Sequence, residues 1–85
     1  MSKRVFKGVY YVIKTRAKGF IKNDRYVGLI NWGRTQVLCE NFTQIKCKSD
    51  DKAVEIAEIF HSDEVIKRTY DLNGRLIMEE HIYKK

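Results

Sequence analysis

One stretch, Ser49 to His61 (SDDKAVEIAEIFH), limits what this chain can become more than any other. It is the only segment with helical periodicity in a sequence that otherwise reads as short strands. Ala53, Ile56, Ala57 and Phe60 recur at helical spacing, while Glu55 and Glu58 fall on the opposite side. Ser49, Asp50 and Asp51 offer oxygens where a helix start needs capping, and place negative charge at the positive end of the helix dipole. A lone amphipathic helix cannot bury its own stripe, so it must lie on a sheet. The expected fold class is α+β: a mainly antiparallel β-sheet with one amphipathic helix packed on it, in the order β-β-β-β-α-β-β, as a single domain over residues 1–85.

The strands can be read in order. Val5 to Lys18 opens with strand formers at Val9, Tyr10, Tyr11, Val12 and Ile13. Apolar residues on both parities predict a central strand covered on two faces, or one that bends at Gly8. If that strand continues, Lys14, Arg16 and Lys18 project from one face at a spacing of roughly 6.6–6.8 Å. That is close to the step between phosphates in a nucleic-acid strand, and it is also how lysine guards an exposed edge. Phe20 to Ile30 reads as a short strand, a turn at Asn23-Asp24 and a second strand with a bulge or close approach at Gly28. Asn31 to Arg34 is a turn that leaves the only tryptophan, Trp32, near a hairpin tip. There it is either a lid on the core or a binding anchor. Beside Arg34, Arg25 and Tyr26 it would form an aromatic and basic surface of the kind that stacks bases. After the helix, Asp71-Leu72-Asn73-Gly74 suits a turn with a glycine bulge, which pairs Asp71 with Arg75 and Lys67 with Glu79. That register puts Ile66, Tyr70, Leu76, Met78 and Ile82 on one face and His81 on the other, with Lys67.

Charge is unevenly placed. Of the net +6, residues 1–39 hold nine Lys or Arg against the single acid Asp24, and residues 40–85 hold eight basic against ten acidic residues. A basic half attracts nucleic acid or an acidic protein face, although a solvated surface needs no partner. No apolar run approaches the roughly 20 residues of a membrane span, and the first residues lack a secretory h-region, so a soluble, cytoplasmic protein with reduced thiols is expected.

Cys39, Cys47, His61 and His81 together match the Cys2His2 set that a structural zinc accepts. Their long spacings differ from the close ligand pairs of zinc fingers, so only the fold can assemble them. Ordinary roles compete with zinc: two small buried hydrophobes, a histidine at a helix end and another on a strand surface. His61 falls at the edge of the buried helix face and can point inward. A turn at Glu40-Asn41 would fold the cysteines together. No nucleophile elbow, Gly-rich phosphate loop or HExxH is present, and the acid pairs Asp63-Glu64 and Glu79-Glu80 read as surface charge, so no enzyme is expected.

In its whole pattern, a very small, proline-free, Lys/Asn/Ile-rich α+β chain without a catalytic signature, the protein resembles accessory proteins of phages of low-GC Gram-positive bacteria, among them the small anti-CRISPR proteins that inhibit Cas9. The resemblance covers size and style and carries no motif, so it transfers no residue. It implies a non-enzymatic inhibitor that contacts a host defence nuclease and blocks nucleic-acid loading. The chain departs from the acidic, DNA-mimicking type by being basic. The expected contact is Lys14, Arg16, Lys18, Arg25, Trp32 and Arg34, with Trp32 as anchor. The alternative is a small basic nucleic-acid-binding module using the same residues on phosphate.

Overall fold

The computed structural model describes residues 6–85, with a Cα radius of gyration of 13.0 Å. Val5, where the first β-rich run is expected to begin, and the charges of Lys3 and Arg4 lie outside the described residues. Five strands and one helix follow in order: β1 (Gly8–Thr15), β2 (Arg25–Ile30), β3 (Thr35–Cys39), α1 (Asp50–Ile59), β4 (Glu64–Tyr70) and β5 (Leu76–Lys84). The strands form one antiparallel sheet ordered β3-β2-β1-β4-β5. The expected α+β class is correct, with one strand fewer before the helix. Phe20 to Lys22 forms no strand, because Gly19 turns the chain at φ 54° and the Ile21 amide donates to the Lys18 carbonyl at 2.9 Å.

β1 is central and covered on both faces, as its two-parity apolar pattern predicts. Tyr11 and Ile13 face α1 with Val27, Ile45 and Val65, and receive Ala53, Ile56 and Ala57 from the helix. Val12, on the other face, is equally buried. There Phe42 spans the strand, with its ring 5.2 Å from that of Tyr26 on β2 and 5.3 Å from the Arg68 guanidinium on β4. Gln44 accepts from the Tyr70 hydroxyl at 3.0 Å.

The sheet is split along one seam. β1 pairs with β4 from Gly8 to Lys14, but with β2 only at Lys14↔Tyr26 and Thr15↔Arg25. Beyond that point the β2–β3 hairpin leaves β1, and residues 43–47 enter the gap. Ile45 takes up the free edge, with Tyr11 N to Ile45 O at 2.7 Å and Ile45 N to Tyr11 O at 2.9 Å. Gly28 permits this closeness: a Cβ there would lie 2.8 Å from Cys39 Sγ and 3.0 Å from Thr43 Cγ2. The close approach read from the sequence is therefore real.

Ser49 caps α1 by accepting from the Lys52 amide at 3.2 Å, as expected. The helix ends in a Schellman motif: Ser62 N donates to Ala57 O at 2.8 Å and His61 N to Glu58 O at 3.2 Å, with His61 at φ 54°. The β4–β5 turn closes as read, with Asp71 N donating to Arg75 O at 2.9 Å and Gly74 at φ 83°. The register beyond it differs. A bulge sets Tyr70 against Leu76 and Thr69 against Met78, so Lys67 pairs with Glu80 rather than Glu79. Met78 thereby moves to the face of Thr69, and His81 comes opposite Ile66. The inserted residue, Ile77, exchanges the faces of Met78 to His81, until a second bulge between Val65 and Ile66 restores the parity at Tyr83.

Candidate partner-binding surface

The six residues expected to form one contact occupy two separate places. Lys14 is the penultimate residue of β1, Arg16 and Lys18 follow the strand, and Arg25 begins β2 at the same end of the sheet. Trp32 and Arg34 lie at the far tip of the β2–β3 hairpin, about 20 Å along the strand from Arg25. Trp32 therefore does not share a surface with Arg25 and Tyr26, because the hairpin keeps them at opposite ends.

At the basal end Lys14, Arg16 and Lys18 are each paired with an acid. The strand does not continue through Arg16 and Lys18, because carboxylates capture its backbone. Asp63 Oδ2 accepts from Arg16 N at 2.7 Å, and Asp24 Oδ1 from Ala17 N at 2.9 Å. The side chains are paired as well: Lys18 with Asp63 at 2.8 Å, Arg16 with Glu64 at 3.1 Å, and Lys14 with Asp24 at 3.3 Å and Glu64 at 3.8 Å. Asp63 and Glu64 are buried, not the surface charges expected, with Asp63 only 8% exposed. The Lys18 ammonium, and after it the Arg16 amide, hold the Asp63 carboxyl below its ordinary pKa. The Ala17 amide does the same for Asp24, helped by Lys14. Arg25 reaches Glu40 at 3.5 Å, while its buried Nε has no hydrogen-bond partner. Three cations are thus matched by three acids, while Lys84, opposite Glu64, and Lys85, whose amide donates to Asp63 O at 2.7 Å, stand at the same corner with no ion pair among the described residues. Asp63 and Glu64 follow the helix and open β4, which runs antiparallel to β1, so the β1–β4 register, had it been known, would have placed them beside Lys14 and Arg16.

The tip is different. Asn31, Trp32 and Gly33 all have positive φ (53°, 59° and 83°), and Arg34 N donates to Asn31 O at 3.1 Å. Two positive-φ residues at the centre of a hairpin turn match the right-handed twist of the strands, but an indole residue in that region costs roughly 1–2 kcal/mol. Trp32 is 100% exposed, so no packing in the described structure offsets that cost. Leu29 and Ile30 beside it are also exposed. Arg34 forms no ion pair among the described residues. Under the hairpin, a cleft of about 470 Å³ opens toward α1, bordered by Leu29, Gln36, Cys47, Ser49, Lys52 and Ile56.

The four soft ligands do not converge. Cys39 stands on the face of Tyr26, beside Gly28, whereas Cys47 packs against the helix-side core. The bend at Glu40-Asn41 forms, but it carries the cysteines to opposite faces of the sheet. His61 is exposed as the left-handed residue that ends α1, not turned inward, and His81 is exposed on β5. Among the described residues no three of His, Cys, Asp and Glu are close enough to hold a metal ion. Burial pushes the Cys47 thiol up to about 11, so it stays protonated at neutral pH. Tyr11, buried and donating to Asp50 Oδ1 at 2.6 Å, is likewise raised, and this bond, with Lys67 at 3.1 Å, holds Asp50 low. Both links tie the helix start to the sheet. No described helix is long and apolar enough to cross a membrane.

Compared with known proteins, the chain matches no family model, no curated protein and no solved structure.

Proposed function

We propose that the protein is a non-enzymatic binding protein that acts by occupying a surface on a larger protein through the tip of its β2–β3 hairpin. The observation that carries this reading is Trp32, fully exposed in a backbone conformation that disfavours it. Strain without a packing benefit in the free protein is what a preorganised anchor exhibits, and tryptophan is prominent among residues that dominate interface energy. The partner suggested by the resemblance to phage-encoded inhibitors is a Cas9-type nuclease of the host, with Arg34 supplying a charge contact at the rim.

Pairing of Lys14, Arg16 and Lys18 with carboxylates makes the nucleic-acid module the weaker alternative. Binding to a Cas9-type nuclease, with and without its guide RNA, and to single-stranded DNA separates the two. The expected outcome is nuclease binding that weakens at least tenfold in Trp32→Ala and changes little with salt. Steeply salt-dependent binding to DNA alone would overturn it.

A further inference from the structure

The two edges of the sheet are guarded differently. β5 has a bulge at each end of its pairing with β4, and it presents Glu79, Glu80 and Lys84 along its length. Bulges and charges are the means by which natural edge strands avoid pairing with another chain. β3 has neither. Thr35 to Cys39 is a regular five-residue strand, TQVLC, without a charge, a proline or a register shift, and its outer side is the edge of the sheet. The charges lie just outside it, Arg34 before and Glu40 after. That arrangement is complementary to itself when the strand is turned round.

We propose that β3 pairs antiparallel with β3 of a second copy of this chain, with Val37 on the two-fold axis. In that register Thr35 faces Cys39 of the other copy, Gln36 faces Leu38, and Arg34 faces Glu40 at both ends. Opposite charges directly across an antiparallel pair are favourable, and like charges are not. Shifting the register by two residues would remove both charge pairs, and shifting by one would turn side chains to the wrong face. Pairing continues each row across the dimer. Val27 and Leu38 of one copy align with Gln36 and Leu29 of the other, so each exposed Leu38 lies against the Gln36 stem of the other copy and on the diagonal from its Leu38. Glu40 is free to take the role, because its contact with Arg25 is long, 3.5 Å, and its side chain is 71% exposed. The tip residues 31–33 extend past the bend at Glu40-Asn41 of the other copy and stay uncovered. A dimer of this kind displays two Trp32 anchors roughly 33 Å apart, so one partner with two sites, or two partners, can be engaged at once.

The proposal does not depend on the identity of any partner, and it is tested on the isolated chain. Sedimentation equilibrium at high micromolar concentration is expected to show a dimer. Arg34→Glu places like charges opposite each other twice and should weaken self-association about tenfold or more. Adding Glu40→Arg to it restores the pairs with reversed sign and should restore the dimer, which separates lost pairing from lost folding. With Cys39→Ser and Cys47→Ala as background, Val37→Cys should cross-link across the axis under mild oxidation, because directly opposed Cα atoms stand about 4.5–5.5 Å apart, within disulfide reach. Gln36→Cys, about 8 Å from its own copy, should not. A monomer throughout, a dimer indifferent to Arg34→Glu, or cross-linking through Ile82→Cys on β5 in place of Val37→Cys would each overturn the proposal.

Discussion

Both hairpins close on a turn with positive φ, but they are fastened to the molecule in unlike ways. β4 runs beside β1 for seven residue pairs, carries Val65 into the core, and is tied to β5 by Arg68 and Glu79 at 2.8 Å. Its turn is held by Asp71 Oδ1, which accepts from the amides of Asn73 and Arg75 at 2.8 and 2.9 Å. β2 shares only two pairs with β1 and then departs, leaving a cleft on each side of the 43–47 strap. One hairpin belongs to the core, and the other projects from it. Stability is therefore concentrated around β1, β4 and α1, while the β2–β3 hairpin is available to meet a partner.

The largest loss of stability is expected on the core side of the molecule. Ile13 is fully buried among β1, β4 and α1, and Ile13→Ala is expected to cost about 3–4 kcal/mol through lost burial and a residual cavity. That is a large part of the roughly 4–13 kcal/mol that an 85-residue domain can hold. Leu29→Ala on the projecting hairpin should cost under about 1 kcal/mol, since the side chain is already exposed. Urea titrations of the two variants measure the difference. Equal losses would mean that the hairpin is as integral as the rest.

Asp63 tests the basal corner. Asp63→Asn removes the charge that binds Lys18 and the Arg16 amide, and should cost about 2 kcal/mol at pH 7. Folding lowers the Asp63 pKa, so its contribution is full above about pH 4 and is lost as pH falls through the folded value. Stability of the wild type should then drop more steeply than that of Asp63→Asn in acid, and the two curves should converge. Curves that stay parallel would show that the pair does not stabilise the fold.

Gly28 sits where the projecting hairpin touches the strap. Gly28→Ala puts a methyl against Cys39 Sγ and Thr43 Cγ2 and should cost about 1–2 kcal/mol. Removing the Cys39 sulfur in the double variant Gly28→Ala/Cys39→Ala should return part of that loss. A thermal melt of single and double variants gives the coupling directly, and additive effects would refute the close packing.

Periodicity exposed the helix, its Ser49 cap and its buried stripe, because these depend on residues three and four apart. The burial of β1 on two faces was legible for the same local reason. What escaped was set by partners distant in sequence. Asp63 and Glu64 read as surface acids until β4 pairs with β1 and sets them beside Lys14 and Arg16. His61 looked like an inward ligand on a helical wheel, but the wheel stops applying where the backbone turns left-handed. The Ile77 bulge left no mark in the alternation, and it moved Met78 and His81 to opposite faces. Of the candidate contact, the tip position of Trp32 was legible from its turn residues, whereas the neutralisation of the basic comb was not.

The smallest effect on stability falls at the residue with the largest expected effect on binding. Asn tolerates the left-handed region far better than an aromatic residue does, and Trp32 has no packing to lose. Trp32→Asn should therefore raise stability slightly, by about 0.5 kcal/mol, while weakening partner binding as strongly as alanine does. Hydrogen exchange at the Arg34 amide, which closes the turn, would show slower opening in the variant. A gain in stability together with a loss of binding means that the free protein holds this conformation for its partner. A loss of stability would instead mean that the indole packs on the protein in solution, and the hairpin would then be part of the core after all.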